Sequence, residues 1–306
     1  MARGVRAGKL PTLVPVPLVH DEAVCIRHWD WSETSQTISL FTREHGVIRC
    51  VAKGAKREKS NFSGGVELLT RAELVVSIKS TGALSILTSW DLIETFSHAR
   101  RSLGSFHAGM AILDVCQHSL HEADPHPELY DAVIAAIRKL GSGEGSGSNG
   151  ANGGNGGSVG DASSNRASVL AVLWAALYHT GHAPELLIDI HTSNPLTKAE
   201  VYHFMPALGG IAAPSSNTGH NAGAVIWKVR ASTIHLLQRL APDGTYQLES
   251  QADEDVGVNH EHDEETQLET KRTAKRALAL LFTYFQWVFS IEAAAIKSFI
   301  EIDQKS

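Results

Sequence analysis

The sequence predicts an α+β fold, a small β-barrel followed by a mainly helical domain. Three observations carry this expectation. Residues 13–90 hold six short apolar runs rich in Val, Ile and Thr, broken by Gly, Ser or Asn. From about residue 91, apolar residues recur at helical spacing instead. The chain has 306 residues, 43% hydrophobic and 20% charged, which suffices for one large core or two small ones and excludes disorder throughout.

The strand runs are LVPVPLV (13–19), VCIRH (24–28), TISLFT (37–42), VIRCVA (47–52), LLTRAELVVSI (68–78) and ALSILTSW (83–90). Arg43-Glu44-His45-Gly46 joins the two central runs, and Gly46 can supply the positive φ of a tight hairpin. About five short strands favour a closed barrel over an open sheet with two unprotected edges. Residues 1–12 read as a tail rather than a signal peptide, because Pro11, Pro15 and Pro17 interrupt the apolar patch after Arg3, Arg6 and Lys9.

The second domain is expected over 91–306. Residues 98–122 predict a first helix, with Leu103, Phe106, Met110, Leu113 and Cys116 at its spacing. Residues 126–140 predict a second, with Pro127 near its start and Leu129, Val133, Ile134, Ile137 and Leu140 on one face. Gly, Ser and Asn make up 20 of the 25 residues in 141–165, so that stretch reads as a flexible segment. Residues 167–181 predict a third helix ending at Gly181, and 182–245 are mixed. Residues 246–270 hold nine Asp or Glu and no Lys or Arg, which reads as an acidic mobile loop. A final helix is expected over 271–300. Its segment Ala277–Ile296 contains Gln286 and Glu292, so it reads as a buried helix and not a membrane span.

Cys25, Cys50 and Cys116 are widely spaced and odd in number, which argues against a disulfide framework and for a reducing, cytoplasmic location. The chain contains no GxSxG, HExxH or GKS/T motif. His118/His121, or His260, His262 and Asp263, are candidate fragments of a hydrolase or metal-dependent enzyme. The expectation is no enzyme, no catalytic residue, no metal and no cofactor.

The net charge of −6 hides an asymmetry. Residues 1–90 hold 12 Lys/Arg against 8 Asp/Glu. Within 43–59, Arg43, Arg49, Lys53, Lys56, Arg57 and Lys59 face only Glu44 and Glu58. Cations that neutralise phosphates release condensed counterions, which drives binding without reading sequence. Gly54 permits close backbone approach, and Trp29, Trp31, Phe41 and Phe62 lie nearby in sequence. On composition alone a solvated loop explains the same run.

Trp31-Ser32-Glu33-Thr34-Ser35, LFTREHG (40–46) and VAKGAKREKS (51–60), in this order and spacing, resemble the N-terminal domain of the bacterial recombination-repair RecO family. HPELYDAVIAAIRKL, FMPALGGIAA (204–213) and KRTAKRALALLFTYF resemble its later segments. The resemblance implies an OB-fold barrel followed by a helical domain. It also implies a non-enzymatic mediator of DNA repair and recombination. Such a mediator binds single- and double-stranded DNA, anneals complementary strands and grips the acidic C-terminal tail of single-strand-binding protein. With RecR it helps load RecA. Carried over by position, the DNA contacts are Arg43, Arg49, Lys53, Lys56, Arg57 and Lys59, with Glu33 and Ser35 shaping the loop. Arg100, Arg101, Arg138 and Lys139 are the candidates for the partner tail. Many members carry two cysteine pairs that bind zinc. Here 188–195 and 209–220 contain no cysteine, so the subdomain must be held by packing. An OB-fold that binds RNA or acts only as a scaffold is the alternative. The segment 246–270 reads first as an inert solvated loop, and its folding back onto the basic face to compete with DNA is the second reading.

Overall fold

The described end of the first apolar run, Leu18 and Val19, continues into the second as one strand. The computed structural model describes residues 18–57, 60, 62, 64–79, 84–141, 159–216, 225–240 and 260–305. Strand β1 (Leu18–Asp30) bends at a register shift between Cys25 and Arg27. Its first half pairs with β4 (Arg71–Ser77), and its second half with β2 (Gln36–Thr42). A bulge of this kind sharpens the twist and lets one strand serve two neighbours. β2 turns through Gly46 (φ 70°) into β3 (Gly46–Ala52), and β3 runs parallel to β5 (Ser85–Glu94) over three residues. The closed order is β1-β2-β3-β5-β4, an OB-type barrel that continues to Glu94, beyond the expected boundary at 90. Its interior holds Cys25, Ile38, Leu40, Ile48, Cys50, Leu74, Val76, Leu87 and Trp90.

After a 3₁₀ turn at Ser97–Arg100 come α1 (Leu103–Ser119), α2 (Pro127–Lys139) and α3 (Val159–His179). Ser102 caps α1 by accepting the Ser105 N–H at 3.1 Å. Helix α3 packs on α1, α2 and α5 (His260–Phe289). It is also tied to α6 (Ala294–Lys305) by a buried Arg166–Asp303 pair, bidentate at 2.8 and 2.6 Å. A small sheet of β6 (Val201–Met205), β7 (Gly210–Ala212) and β8 (Trp227–Arg230), ordered β7-β6-β8, leads into α4 (Ala231–Gln238).

Three expectations change. The flexible segment loses residues 159–165 to α3, while 142–158 lie outside the described residues. The acidic loop loses 260–270 to α5, while 246–259 lie outside the described residues. Acidic composition suits a helix start, where the dipole favours negative charge. The final helix is two, broken by positive φ at Ser290 (53°) and Ala293 (44°). Among the described residues no helix is long and apolar enough to cross a membrane.

A buried carboxylate ties the cysteine-free stretch 188–195 to the end of β7. Asp189 is buried. Its Oδ1 accepts the His191 and Thr192 N–H at 2.9 and 3.2 Å, and its Oδ2 accepts the Ala213 N–H at 2.8 Å. One side chain thus joins 188–195 to the end of β7.

The barrel and helices share a core. Val24, Phe41 and Val47 form one row across β1-β2-β3 on the barrel's outer surface, and the helices bury it. Phe41 meets Tyr130 of α2 edge-on at 5.4 Å. Around this contact Glu22 takes Arg71 at 2.5 Å and the Tyr130 hydroxyl at 2.8 Å. The Val47 N–H donates to His121 O at 3.1 Å.

Candidate nucleic-acid interface

Beyond the buried row, the same barrel surface is open. The next cross-strand row is Arg27–Ser39–Arg49, and the one after it is Trp29–Thr37–Val51. The Arg27 guanidinium lies 4.7 Å over the Trp29 ring. Trp29 is 44% and Trp31 68% exposed, far more than indoles normally are without a partner. Ser39 and Thr37 hold buried hydroxyls with no hydrogen-bond partner. Unpaired buried donors are costly, and here two lie beside the cations that attract phosphate oxygens.

At the end of this surface two loops are latched together. The Gly54 N–H donates to Ser35 Oγ at 3.1 Å, and the Lys56 N–H to Thr34 O at 3.1 Å. Ser35 therefore shapes the loop, as expected, and Glu33 is exposed beside it. Gly54 (φ 68°) makes the tight turn that presents Lys53 and Arg57 to solvent. Lys56 pairs with Asp30 at 2.6 Å and Arg49 with Glu122 at 3.3 Å, and these exposed pairs can be exchanged for phosphate at little cost. Lys59 lies outside the described residues.

Arg43 departs from the expectation. It sits at the hairpin end opposite Lys53, and its guanidinium grips Asp131 of α2 at 3.1 and 2.8 Å. That bond holds the Asp131 carboxyl below its ordinary range. Arg43 joins the barrel to the helices instead of extending the basic face. The converse holds for Arg27, which sequence reasoning missed. Its signal was the alternation Arg27, Trp29, Trp31 in RHWDW, obscured by the bulge two residues earlier.

The four partner-tail candidates do not act as one free basic rim. Arg100 binds Glu67 at 2.7 Å and Leu68 O at 2.5 Å, and Arg138 binds Glu94 at 2.7 Å, so both staple helices to the barrel. Arg101 is exposed, and Lys139 closes α2, where its carbonyl accepts Ser164 Oγ at 2.7 Å.

The three thiols are buried and reduced. Burial pushes Cys50 and Cys116 up to about 12 and Cys25 higher still, so none is a nucleophile at neutral pH. His118 contacts Asp114 at 3.3 Å within one turn of α1, and His260, His262 and Asp263 lie at the start of α5. Among the described residues no group of three or more His, Cys, Asp or Glu is placed to hold a metal.

The family model for the N-terminal domain of recombination protein O matches residues 16–96, the barrel as built here. The chain is 31% identical to the DNA repair protein RecO of Salinibacter ruber, over 43% of this chain and 51% of that protein. It is 37% identical to that of Rhodopirellula baltica, over 40% and 45%. A longer alignment, with the RecO of Idiomarina loihiensis, is 24% identical over 72% and 80%.

Residues 16–96 are thus similar to the N-terminal domain of recombination protein O, and the chain is similar to the DNA repair protein RecO of several bacteria.

The first alignments span about half the length of the curated relatives. The part of the chain that the family model matches contains the exposed Arg27, Trp29 and Arg49 and the latched turn at 53–57.

Proposed function

We propose that this chain is a cytoplasmic mediator of DNA repair and homologous recombination that performs no bond chemistry. It binds single- and double-stranded DNA on the barrel, anneals complementary strands, and with RecR helps load RecA onto DNA coated with single-strand-binding protein. The observation that carries this reading is the exposed set Arg27, Arg49 and Trp29 on the adjacent cross-strand rows, with Lys53 and Arg57 at its end. Cations along the strands attract the backbone, and exposed indoles offer stacking faces to unpaired bases. The relatives are named DNA repair protein RecO, which supports the same role.

The test is annealing of complementary oligonucleotides coated with the cognate single-strand-binding protein. The chain should accelerate annealing, and removing the last few residues of the coating protein should abolish the acceleration. Equal rates with and without the chain would end the mediator reading. A matched RNA that binds more tightly than the DNA would favour the RNA-binding alternative.

A further inference from the structure

A second set of cations stands on the helical domain, in a cleft that no barrel residue lines. The cleft is about 400 Å³ and lies between β8, α4 and α5. Lys228, Arg230 and Arg276 rim it, Val229, Ala279 and Leu280 form its apolar wall, and no carboxylate is among its lining residues. Thr233 lines it too. That residue is 1% exposed, and its hydroxyl has no hydrogen-bond partner. Such a group is normally satisfied, so an acceptor is missing at this point.

The cations continue along one stripe of α5. Arg272, Arg276, Leu280, Thr283 and Trp287 recur at helical spacing, all at least partly exposed, over ~22 Å at 1.5 Å per residue. Glu269 is the carboxylate among them. It pairs with Arg276 at 2.9 Å and lies within the field of Arg230 and Arg272. At the far end Trp227 stacks on Phe204 (5.5 Å, 5°) and meets the edge of Trp287, which is 45% exposed.

We propose that this cleft and stripe form a second nucleic-acid backbone site, separate from the barrel face. Phosphates lie along Lys228, Arg230, Arg272 and Arg276, one phosphate oxygen accepts from the Thr233 hydroxyl, and a base stacks on Trp287. A row of cations drawn out over several nucleotide lengths and ending on an open indole fits a repeating anion with rings. A single peptide carboxylate wants its cations converging on one point. Two such sites on one chain bring two strands together. The proposal extends the annealing reading and rests on different residues.

The experiment is photo-crosslinking of the full chain to a 15-mer oligonucleotide containing 5-iododeoxyuridine, with adducts mapped by peptide mass. Adducts are expected at Trp227 or Trp287 as well as at Trp29 or Trp31. The Lys228→Ala/Arg230→Ala/Arg276→Ala variant should lose the first set at least tenfold and keep the second. The Lys53→Ala/Arg57→Ala variant should do the reverse. Thr233→Val removes no existing bond, so its melting temperature should hold while the Trp227 and Trp287 adducts fall about fivefold. No adduct at Trp227 or Trp287 in the wild-type chain at low salt overturns the proposal. So does a yield that the triple variant leaves unchanged, or a hexaglutamate peptide that occupies the cleft where the oligonucleotide does not. Adducts at Trp227 or Trp287 without any at Trp29 or Trp31 would count against the barrel reading and leave this one standing.

Discussion

A lysine on an exposed turn and an arginine on an interface look alike in sequence and act differently. Lys53 and Arg57 are exposed, and Lys56 holds only a solvent-facing pair with Asp30. Replacing Lys53, Lys56, Arg57 and Lys59 with Ala should lower the salt slope of single-strand binding by roughly 3, at ~0.7 per phosphate. The melting temperature should barely move, because exposed pairs contribute ~0–1 kcal/mol. Arg43→Ala should leave the slope nearly unchanged and cost little stability, because one edge of its guanidinium is spent on Asp131 and the remaining nitrogen on Glu44, both in exposed pairs. An unaltered slope in the fourfold variant would remove the basic turn from the interface. Two glycines make a matching contrast. A Cβ on Gly46 (φ 70°) would stand 2.5 Å from the Asp124 carbonyl oxygen, whereas one on Gly54 (φ 68°) would meet only the flexible Arg57 Cδ at 3.4 Å. Both alanine variants carry the left-handed penalty of ~1–2 kcal/mol. Gly46→Ala must also push the 121–125 loop off the barrel, so urea denaturation should show it losing about 2 kcal/mol more than Gly54→Ala.

Among elements, α6 adds a buried ion pair to its apolar packing on α1. Arg166 and Asp303 have side chains only 2% and 5% exposed. Removing one partner of a buried pair strands the other charge, at ~3–5 kcal/mol. Asp303→Ala should therefore destabilise the chain by about that much and raise hydrogen exchange in 294–305 first. A loss below 1 kcal/mol would mean that water reaches Arg166. The same reasoning explains the elements that composition misjudged. Composition predicts loops over the whole Gly-rich and acidic stretches, yet α3 starts at Val159 and α5 at His260. Helices so long are held by the apolar faces that follow, such as Leu170 and Leu173 or Leu278 and Leu281, which draw polar first turns along with them. The break at 290–293 had no Gly or Pro to announce it. It is set by α6 folding back on α1.

For the whole molecule, the joint between barrel and helices is an acid-sensitive lattice. Hydrogen bonds from Arg71, opposed by burial and aided by Tyr130, hold Glu22 below its ordinary 4.5, and Arg43 holds Asp131 below 3.8. A depressed folded-state value gives stability that is present above the unfolded value and lost as pH falls through the folded one. The urea midpoint should therefore change little from neutral pH down to about 5 and then drop below 4.5. Glu22→Gln should start lower and fall less between about pH 5 and 3. Parallel curves for the two proteins would show that Glu22 does not set the acid limit.

Local pattern alone determined the α+β class, the hairpin at Gly46, the helix at 127–139 and the basic turn, because period, turn chemistry and charge are written in neighbouring residues. Which cations face solvent was decided only when the chain folded. The bulge in β1 brought Arg27 and Trp29 onto the open row, helix α2 took Arg43 out of it, and β8 and α4 closed against α5 to gather Lys228, Arg230 and Arg276 from two distant segments. Side-chain direction and long-range pairing depend on register and packing, and no window along the sequence contains them.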